Sequence, residues 1–427
     1  MSTTTYPHGN TAWFTRDRLG MFIHWGLYSC AARHEWVMNR EELTVEQYRK
    51  YFEHFNPDLF DPVAWARHAK NAGMKYFVIT TKHHEGFCLW DTRYTDYKVT
   101  NTPCGKELIG PLVEAFRNEG LKVGFYYSLI DWRYPDFPVD ARHPQRNDSE
   151  FRTKTQGRDV SRYAAYMRNQ VEELLTRFGP VDIIWFDFSY PGHDGKGKDD
   201  WESEKLLSLV RKLQPDILIN NRLDLNGAGD FVTPEQYQPH GKVLGNDGKP
   251  LVWEACQTFS GSWGYHRDEQ TWKSIGQILR MLIDGVAKGG NLLLNVGPTA
   301  RGEFDFRAIE KLEQMGQWMR VNGVSIYECG PAPDELTCPP DCRYTFNATK
   351  NRLYLHLFAW PFRFLHLQNL IGKIEYAQFL HDASEILFEE HTGTDVHDIK
   401  RPKNCVTLKL PAVKPPIEIP VIELFLK

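Results

Sequence analysis

Asp187 closes a run, 181–186, in which five of six residues are apolar. Val181, Ile183, Ile184, Trp185 and Phe186 predict a strand buried on both faces, as in a parallel sheet. A carboxylate at the C-terminal end of such a strand lies where α/β barrels place their chemistry. Burying it without a task would cost several kcal/mol.

Other apolar runs end the same way. One ends in His24 and Trp25, a second in Thr80, Thr81, Lys82, His83, His84 and Glu85. A third ends in Tyr126, Tyr127 and Ser128, and a fifth in Asn220, Asn221 and Arg222. A lone histidine at a strand end is usually a satisfied core residue. Polar clusters at the same end of successive strands instead predict one pocket at the top of a barrel. Metal binding is not expected there: neighbouring His83 and His84 on a strand would point to opposite faces. Hydrogen bonding to hydroxyl groups is the alternative, with Trp25, Trp36, Tyr126 and Trp185 as apolar walls. That mixture suits a pyranose ring.

Hydrolysis of a sugar bond needs two carboxyl groups flanking the anomeric carbon. Asp187 supplies one. Glu35, Glu85, Glu235 and Glu254 are candidates for the other. Glu254 falls in a predicted strand and Glu235 in the loop after the fifth strand, and the residue types alone leave both open.

The elements that would position these groups follow from periodicity. Strands are predicted over 19–26, 76–83, 122–128, 182–188, 217–222, 252–258 and 291–297, and helices over 62–71, 107–118, 159–178, 201–213 and 271–287. Glycine comes just after several of these helices, as at Gly73, Gly120 and Gly289. This alternation predicts an α/β fold, a (β/α)8-like barrel of the TIM type with its eighth strand irregular or the barrel imperfect. A doubly wound sheet is the runner-up, but the glycine-rich fingerprint after the first strand is missing. Near residue 328 the pattern changes to short alternating runs separated by turns. The expected division is a catalytic barrel over 1–330 and a C-terminal antiparallel β-sandwich over 331–427.

Bulk properties narrow the classes. A net charge of −4 over 427 residues offers no basic field for nucleic acid. No run of apolar residues is long enough to span a membrane. The eight cysteines form no Cys-x-x-Cys pair and are expected to be reduced and mostly buried. The first residues carry no leader pattern, which suits a cytoplasmic enzyme, or a secreted or periplasmic one whose leader was removed. Oligomeric state has no signature in the chain.

The quoted segments, taken in order, resemble the α-L-fucosidases of glycoside hydrolase family 29. The matching stretches are 19–26, 34–36, 81–87, 123–128, 184–187, 253–254, 262–265 and 290–298, collinear over roughly residues 10 to 330. The resemblance implies a barrel followed by a β-sandwich, a retaining double displacement and no metal or organic cofactor. It implies Asp187 as nucleophile and Glu235 as acid/base, with Glu254 the alternative for that role. It implies a fucose pocket of His24, Glu35, Trp36, His83, His84, Tyr126, Trp185, Arg222 and Trp263. The expected partner is a fucosylated oligosaccharide or glycoconjugate. The Thr233, Pro234, Glu235 stretch and short loops favour the subfamily acting on α1-3/α1-4 fucose of Lewis-type glycans. A non-catalytic fucose-binding protein, or a barrel glycosidase for another deoxysugar or a galactoside, are the competing readings.

Overall fold

A computed structural model describes residues 6–391 and 404–427. The first five residues, on which part of the leader reading rests, lie outside the described residues. Seven strands form one parallel sheet: β1 (Leu19–Ile23), β2 (Tyr76–Lys82), β3 (Lys122–Ser128), β4 (Ile183–Asp187), β5 (Leu218–Ile219), β6 (Glu254–Thr258) and β7 (Asn291–Val296). Their spatial order is β5-β4-β3-β2-β1-β7-β6. The sheet curls into a half-barrel, with helices returning the chain between strands.

Alternate residues of each strand serve two cores. Phe125 and Tyr127 of β3 face the helices, while Tyr126 joins Phe22, Tyr76, Val78, Ile183, Trp185, Leu218, Cys256 and Leu293 inside the curl. Strands buried on both sides explain the nearly unbroken apolar runs. Gly20 permits one feature of this interior. A Cβ there would meet the Tyr76 ring at 2.2 Å, so glycine leaves the space the ring fills.

β5 is only two residues long, shorter than the run 217–222 predicted. The cause is the segment 230–236, which fills the gap between β5 and β6. Asp230 donates its N–H to the Ile219 carbonyl at 2.7 Å, and Asn220 bridges Phe231 in parallel. On the other side, Val232 N bonds Val252 O, Glu254 N bonds Val232 O, Cys256 N bonds Pro234 O and Gln236 N bonds Cys256 O, all at 2.9–3.0 Å. Pro234 has no N–H to give, and the ladder is broken there. Glu235 was expected in a free loop. It sits instead on extended backbone tied to β6.

Beyond residue 330 the strands are antiparallel. They are β8 (Cys342–Asn347), β9 (Arg352–Leu357), β10 (Phe364–Gln368), β11 (Ile374–Phe379), β12 (Phe388–His391), β13 (Cys405–Lys409) and β14 (Val421–Leu426). One sheet has the order β11-β14-β9-β8 and the other β10-β13-β12. Leu353, Leu355, Leu367, Leu408, Ile422 and Leu424 fill a core shared by both sheets. β10 was not anticipated: Phe364 is half exposed, so its pattern lacks a clean apolar alternation. Helices Val45–His54 and Phe306–Asn322 were also not anticipated; both bury only a minority of their residues. The strands dock on helix Ile275–Ala287 through Arg343, whose Nε lies 2.7 Å from Asp284.

Candidate active site

The C-terminal ends of the strands converge on one pocket of about 330 Å³ of open space, at the small end for ligand pockets. Asp187 lies at its base, 9% exposed, as the last residue of β4. Its two oxygens have different partners. Oδ2 accepts from the Tyr126 hydroxyl at 2.7 Å, and Oδ1 pairs with Arg222 Nη1 at 2.6 Å. The Asp187 carbonyl is held as well, accepting from Leu129 N at 2.8 Å.

Arg222 also reaches Glu235: its Nη2 lies 2.7 Å from Glu235 Oε2, and its Nε donates to Thr233 Oγ1 at 3.0 Å. One guanidinium therefore spans both carboxylates. The group lies over the Trp185 ring, 4.4 Å from its centroid. Burial opposes the Arg222 charge, but Asp187 and then Glu235 outweigh it and raise its pKa above the ordinary value. The Glu235 side chain is 42% exposed, at the mouth.

His24, His83 and His84 line the same pocket. The expectation that His83 and His84 point apart is overturned. β2 ends at Lys82, so the pair sits on a turn rather than on a strand, and their ring centroids are 4.0 Å apart. His84 Nδ1 contacts Ser128 Oγ at 2.6 Å, and His24 Nδ1 contacts Asn295 Oδ1 at 2.6 Å. Burial, and after it the neighbouring His83, holds both His24 and His84 well below the ordinary imidazole range. They are neutral rings with Nδ1 committed to Asn295 or Ser128, and His84 Nε2 faces Asp187 Oδ2 at 3.9 Å. Glu85 lies behind His83, its Oε2 3.3 Å from Nδ1. Among the described residues no group of three or more His, Cys, Asp or Glu could hold a metal ion.

Glu35 and Trp36 enter from the connection after β1. Glu35 Oε2 accepts from the backbone N–H groups of Trp263 and Gly264 at 3.2 and 2.8 Å, which fixes the turn carrying Trp263. Asn295 clamps the same turn through the Trp263 carbonyl at 2.6 Å. Trp36, Trp185 and Trp263 all face the pocket. Trp25, expected as a wall, does not. It packs outward against Phe55, Phe60 and Trp65, because it continues β1 on the helix-facing side.

Glu254 is brought near the site but does not line it. It is fully buried at the start of β6, with the Tyr76 hydroxyl donating to Oε2. Burial pushes its carboxyl up to about 8.

Residue reasoning did not single out Asn295 or Phe188, and named Ser128 and Thr233 without a role for either. Asn295 stands near the end of β7, where polar residues after an apolar run were already the signal. Phe188 lines the pocket with a positive φ of 78°, which no sequence pattern announced.

Known proteins match the chain over most of its length. The family model described as Alpha-L-fucosidase matches residues 3–324. The chain is 30% identical over 379 residues to the human protein named plasma alpha-L-fucosidase, covering 82% of this chain and 76% of that one. Among solved structures it is similar to alpha-L-fucosidase isoenzyme 1 from Paenibacillus thiaminolyticus, with TM-score 0.91, 46% identity and 98% of each chain covered. A GH29 alpha-L-fucosidase from Bacteroides thetaiotaomicron, trapped as a covalent intermediate with 2-fluoro-fucosyl fluoride, superposes with TM-score 0.84 at 29% identity, over 100% of this chain and 98% of that one. By sequence match and by fold, the chain belongs to the alpha-L-fucosidase family.

Proposed function

We propose that this glycoside hydrolase is a retaining exo-α-L-fucosidase in which Asp187 is the nucleophile and Glu235 the acid/base. The observation that carries the reading is the single guanidinium of Arg222 touching both carboxylates. Retaining enzymes need their two carboxyls close, roughly 5–5.5 Å apart, so that one can bond the anomeric carbon directly. A separation within the span of one guanidinium supports that arrangement.

In the first step Asp187 Oδ attacks the anomeric carbon and the glycosidic oxygen leaves with a proton from Glu235. In the second, Glu235 takes a proton from water, which attacks the same carbon and releases Asp187. The Arg222–Glu235 contact competes with the proton that Glu235 must carry in the first step. The glycosidic oxygen is the partner that replaces Arg222. Exposure at the mouth supports Glu235 over Glu254, since a leaving group has to depart through open space. His24, His83, His84, Glu35 and Tyr126 then bind ring hydroxyls, with Trp36, Trp185 and Trp263 as apolar surface.

The scaffold is read as a (β/α)8-like barrel whose eighth position is taken by 230–236, succeeded from about residue 331 by a β-sandwich. The substrate is read as α1-3/α1-4 fucose on branched glycans. The Thr233, Pro234, Glu235 stretch supports it, and Arg142, 5.7 Å from the ring centroid of the pocket residue Phe188, brings the 131–158 connection to the pocket. Incubation with p-nitrophenyl α-L-fucoside and with a Lewis-type trisaccharide tests this. Fucose release from the trisaccharide is expected; release from neither substrate would sink the assignment. Azide rescue assigns the roles. Asp187→Ala should yield the β-fucosyl azide and Glu235→Ala the α-azide. An α-azide from Glu254→Ala alone would transfer the acid/base role to Glu254.

A further inference from the structure

Asn295 is buried near the end of β7, in register with Phe22 of β1 on one side and Thr258 of β6 on the other. It does not itself line the pocket that holds Asp187. Its side-chain amide makes two contacts of 2.6 Å, one to the Trp263 carbonyl and one to His24 Nδ1. The first contact fixes the second. A backbone carbonyl only accepts, so the amide must turn its Nδ2 to Trp263. Oδ1 is then the atom that faces His24, and an amide oxygen also only accepts. The proton between them therefore sits on Nδ1 of the imidazole. The opposite tautomer would set two lone pairs against each other at 2.6 Å.

The other ring nitrogen inherits the consequence. Burial, and after it His83, keeps His24 from taking a second proton near neutral pH. With its one proton on Nδ1, the ring has a bare lone pair on Nε2. No described residue hydrogen-bonds that atom. It is not sealed in the protein as His83 Nδ1 is, and His24 lines the pocket beside His83, Tyr126 and Trp263. A lone pair takes only a donor. An O–H satisfies it; an ether oxygen, a fluorine or a C–H does not.

We propose that Asn295 is a positioning residue that sets the tautomer of His24, so that His24 Nε2 accepts the proton of a sugar hydroxyl and rejects any group that cannot donate. One planar amide thereby serves both sides of the pocket. It fixes what His24 can recognise, and it holds the turn whose Trp263 ring lies 5.1 Å from the His24 ring. The inference rests on the reading of this pocket as the fucose site.

Nitrogen NMR of protein carrying isotope-labelled histidine reads the tautomer directly, with His24→Gln to assign the signal. Near neutral pH, wild type should show a protonated Nδ1 and a bare Nε2 at His24. A proton on Nε2 overturns the proposal whatever the activity. Asn295→Leu keeps the volume and removes both contacts, while Glu35 still holds the Trp263 turn. In that variant the proton should move to Nε2 in at least part of the molecules; an unchanged tautomer overturns the role of Asn295. Selection is tested on wild type alone, by competitive inhibition with L-fucose and with its analogues bearing hydrogen or fluorine in place of one ring hydroxyl. At one ring position both replacements should weaken inhibition alike, by roughly tenfold or more. Fluoro analogues that inhibit as well as fucose at every position overturn the proposal. Failure of L-fucose itself to inhibit counts against the fucosidase reading instead, and the NMR signal still decides the tautomer.

Discussion

Tyr126 donates its hydroxyl to the Asp187 oxygen that Arg222 does not touch, at 2.7 Å, from a ring that is itself 1% exposed. Burial, then the adjacent carboxylate, raises the tyrosine well above its usual range, so it stays a donor at every working pH. Such a bond aims one carboxylate oxygen and leaves the other to the guanidinium. Tyr126→Phe removes a hydrogen bond to a charged group, worth about 1.5–3 kcal/mol. Steady-state kinetics should show kcat/KM reduced by roughly 10- to 100-fold with the fold intact by circular dichroism.

Arg222 is used as a fork. Its Nη1, Nη2 and Nε each have a different oxygen, on Asp187, Glu235 and Thr233. A lysine keeps the charge but has no planar fork. Arg222→Lys should therefore lower kcat/KM by about 100-fold, nearly as much as Arg222→Ala. Activity of the lysine variant close to wild type would show that charge alone suffices.

The buried histidines set an acid boundary. Their folded pKa values lie below the ordinary 6.5, because burial disfavours the imidazolium. The unfolded chain thus takes up protons first as pH falls. The stability from neutral His24 and His84 is present above about pH 6.5 and is lost progressively as pH falls through their folded values. Ring NMR should show both neutral at about pH 6, and Tm should decline from there toward pH 5. Protonation of either ring at neutral pH would contradict this.

Lys82 and Asp131 support the His83–His84 turn from beneath. Lys82 Nζ is 3.0 Å from the Tyr163 hydroxyl, 3.5 Å from Asp131 Oδ2 and 4.3 Å from the Tyr127 ring centroid, and both members of the pair are essentially fully buried. Gly86 makes the approach possible, since a Cβ there would meet Asp131 Oδ1 at 2.2 Å and its φ is +83°. Removing one member leaves the other charge buried alone, at a cost of about 3–5 kcal/mol. Lys82→Ala should lower the denaturant midpoint accordingly, and Lys82→Ala with Asp131→Ala should cost less than the two single changes added together.

Much of this was legible in the chain for a physical reason. A parallel strand buried on both faces must be apolar throughout, so Asp187, His24 and Tyr126 stand out as exceptions at its end. Of the residues expected in the pocket, His24, Glu35, Trp36, His83, His84, Tyr126, Trp185 and Trp263 line one cavity with Asp187 and Glu235, Arg222 reaches it through those two carboxylates, and Trp25 does not line it. The illegible part depends on where strands stop. His83 and His84 share a pocket because β2 ends one residue before them. Trp25 faces away because β1 alternation carries it outward. The segment that bears Glu235 reads as a loop because Pro234 and the polar residues around it hide its pairing with β6. Asn295 looked like another strand residue, and only the tertiary structure shows that it ties His24 to the Trp263 turn.

In the proposed mechanism, bonding of Asp187 to the anomeric carbon is the step that the other residues of the pocket serve. Incubation with a 2-deoxy-2-fluoro-fucosyl fluoride slows the second step more than the first, and peptide mass spectrometry then locates the sugar. One fucosyl adduct is expected on the peptide containing Asp187, absent in Asp187→Ala. An adduct on any other carboxylate, or fucoside turnover with inversion at the anomeric carbon and no adduct, would contradict Asp187 as the nucleophile.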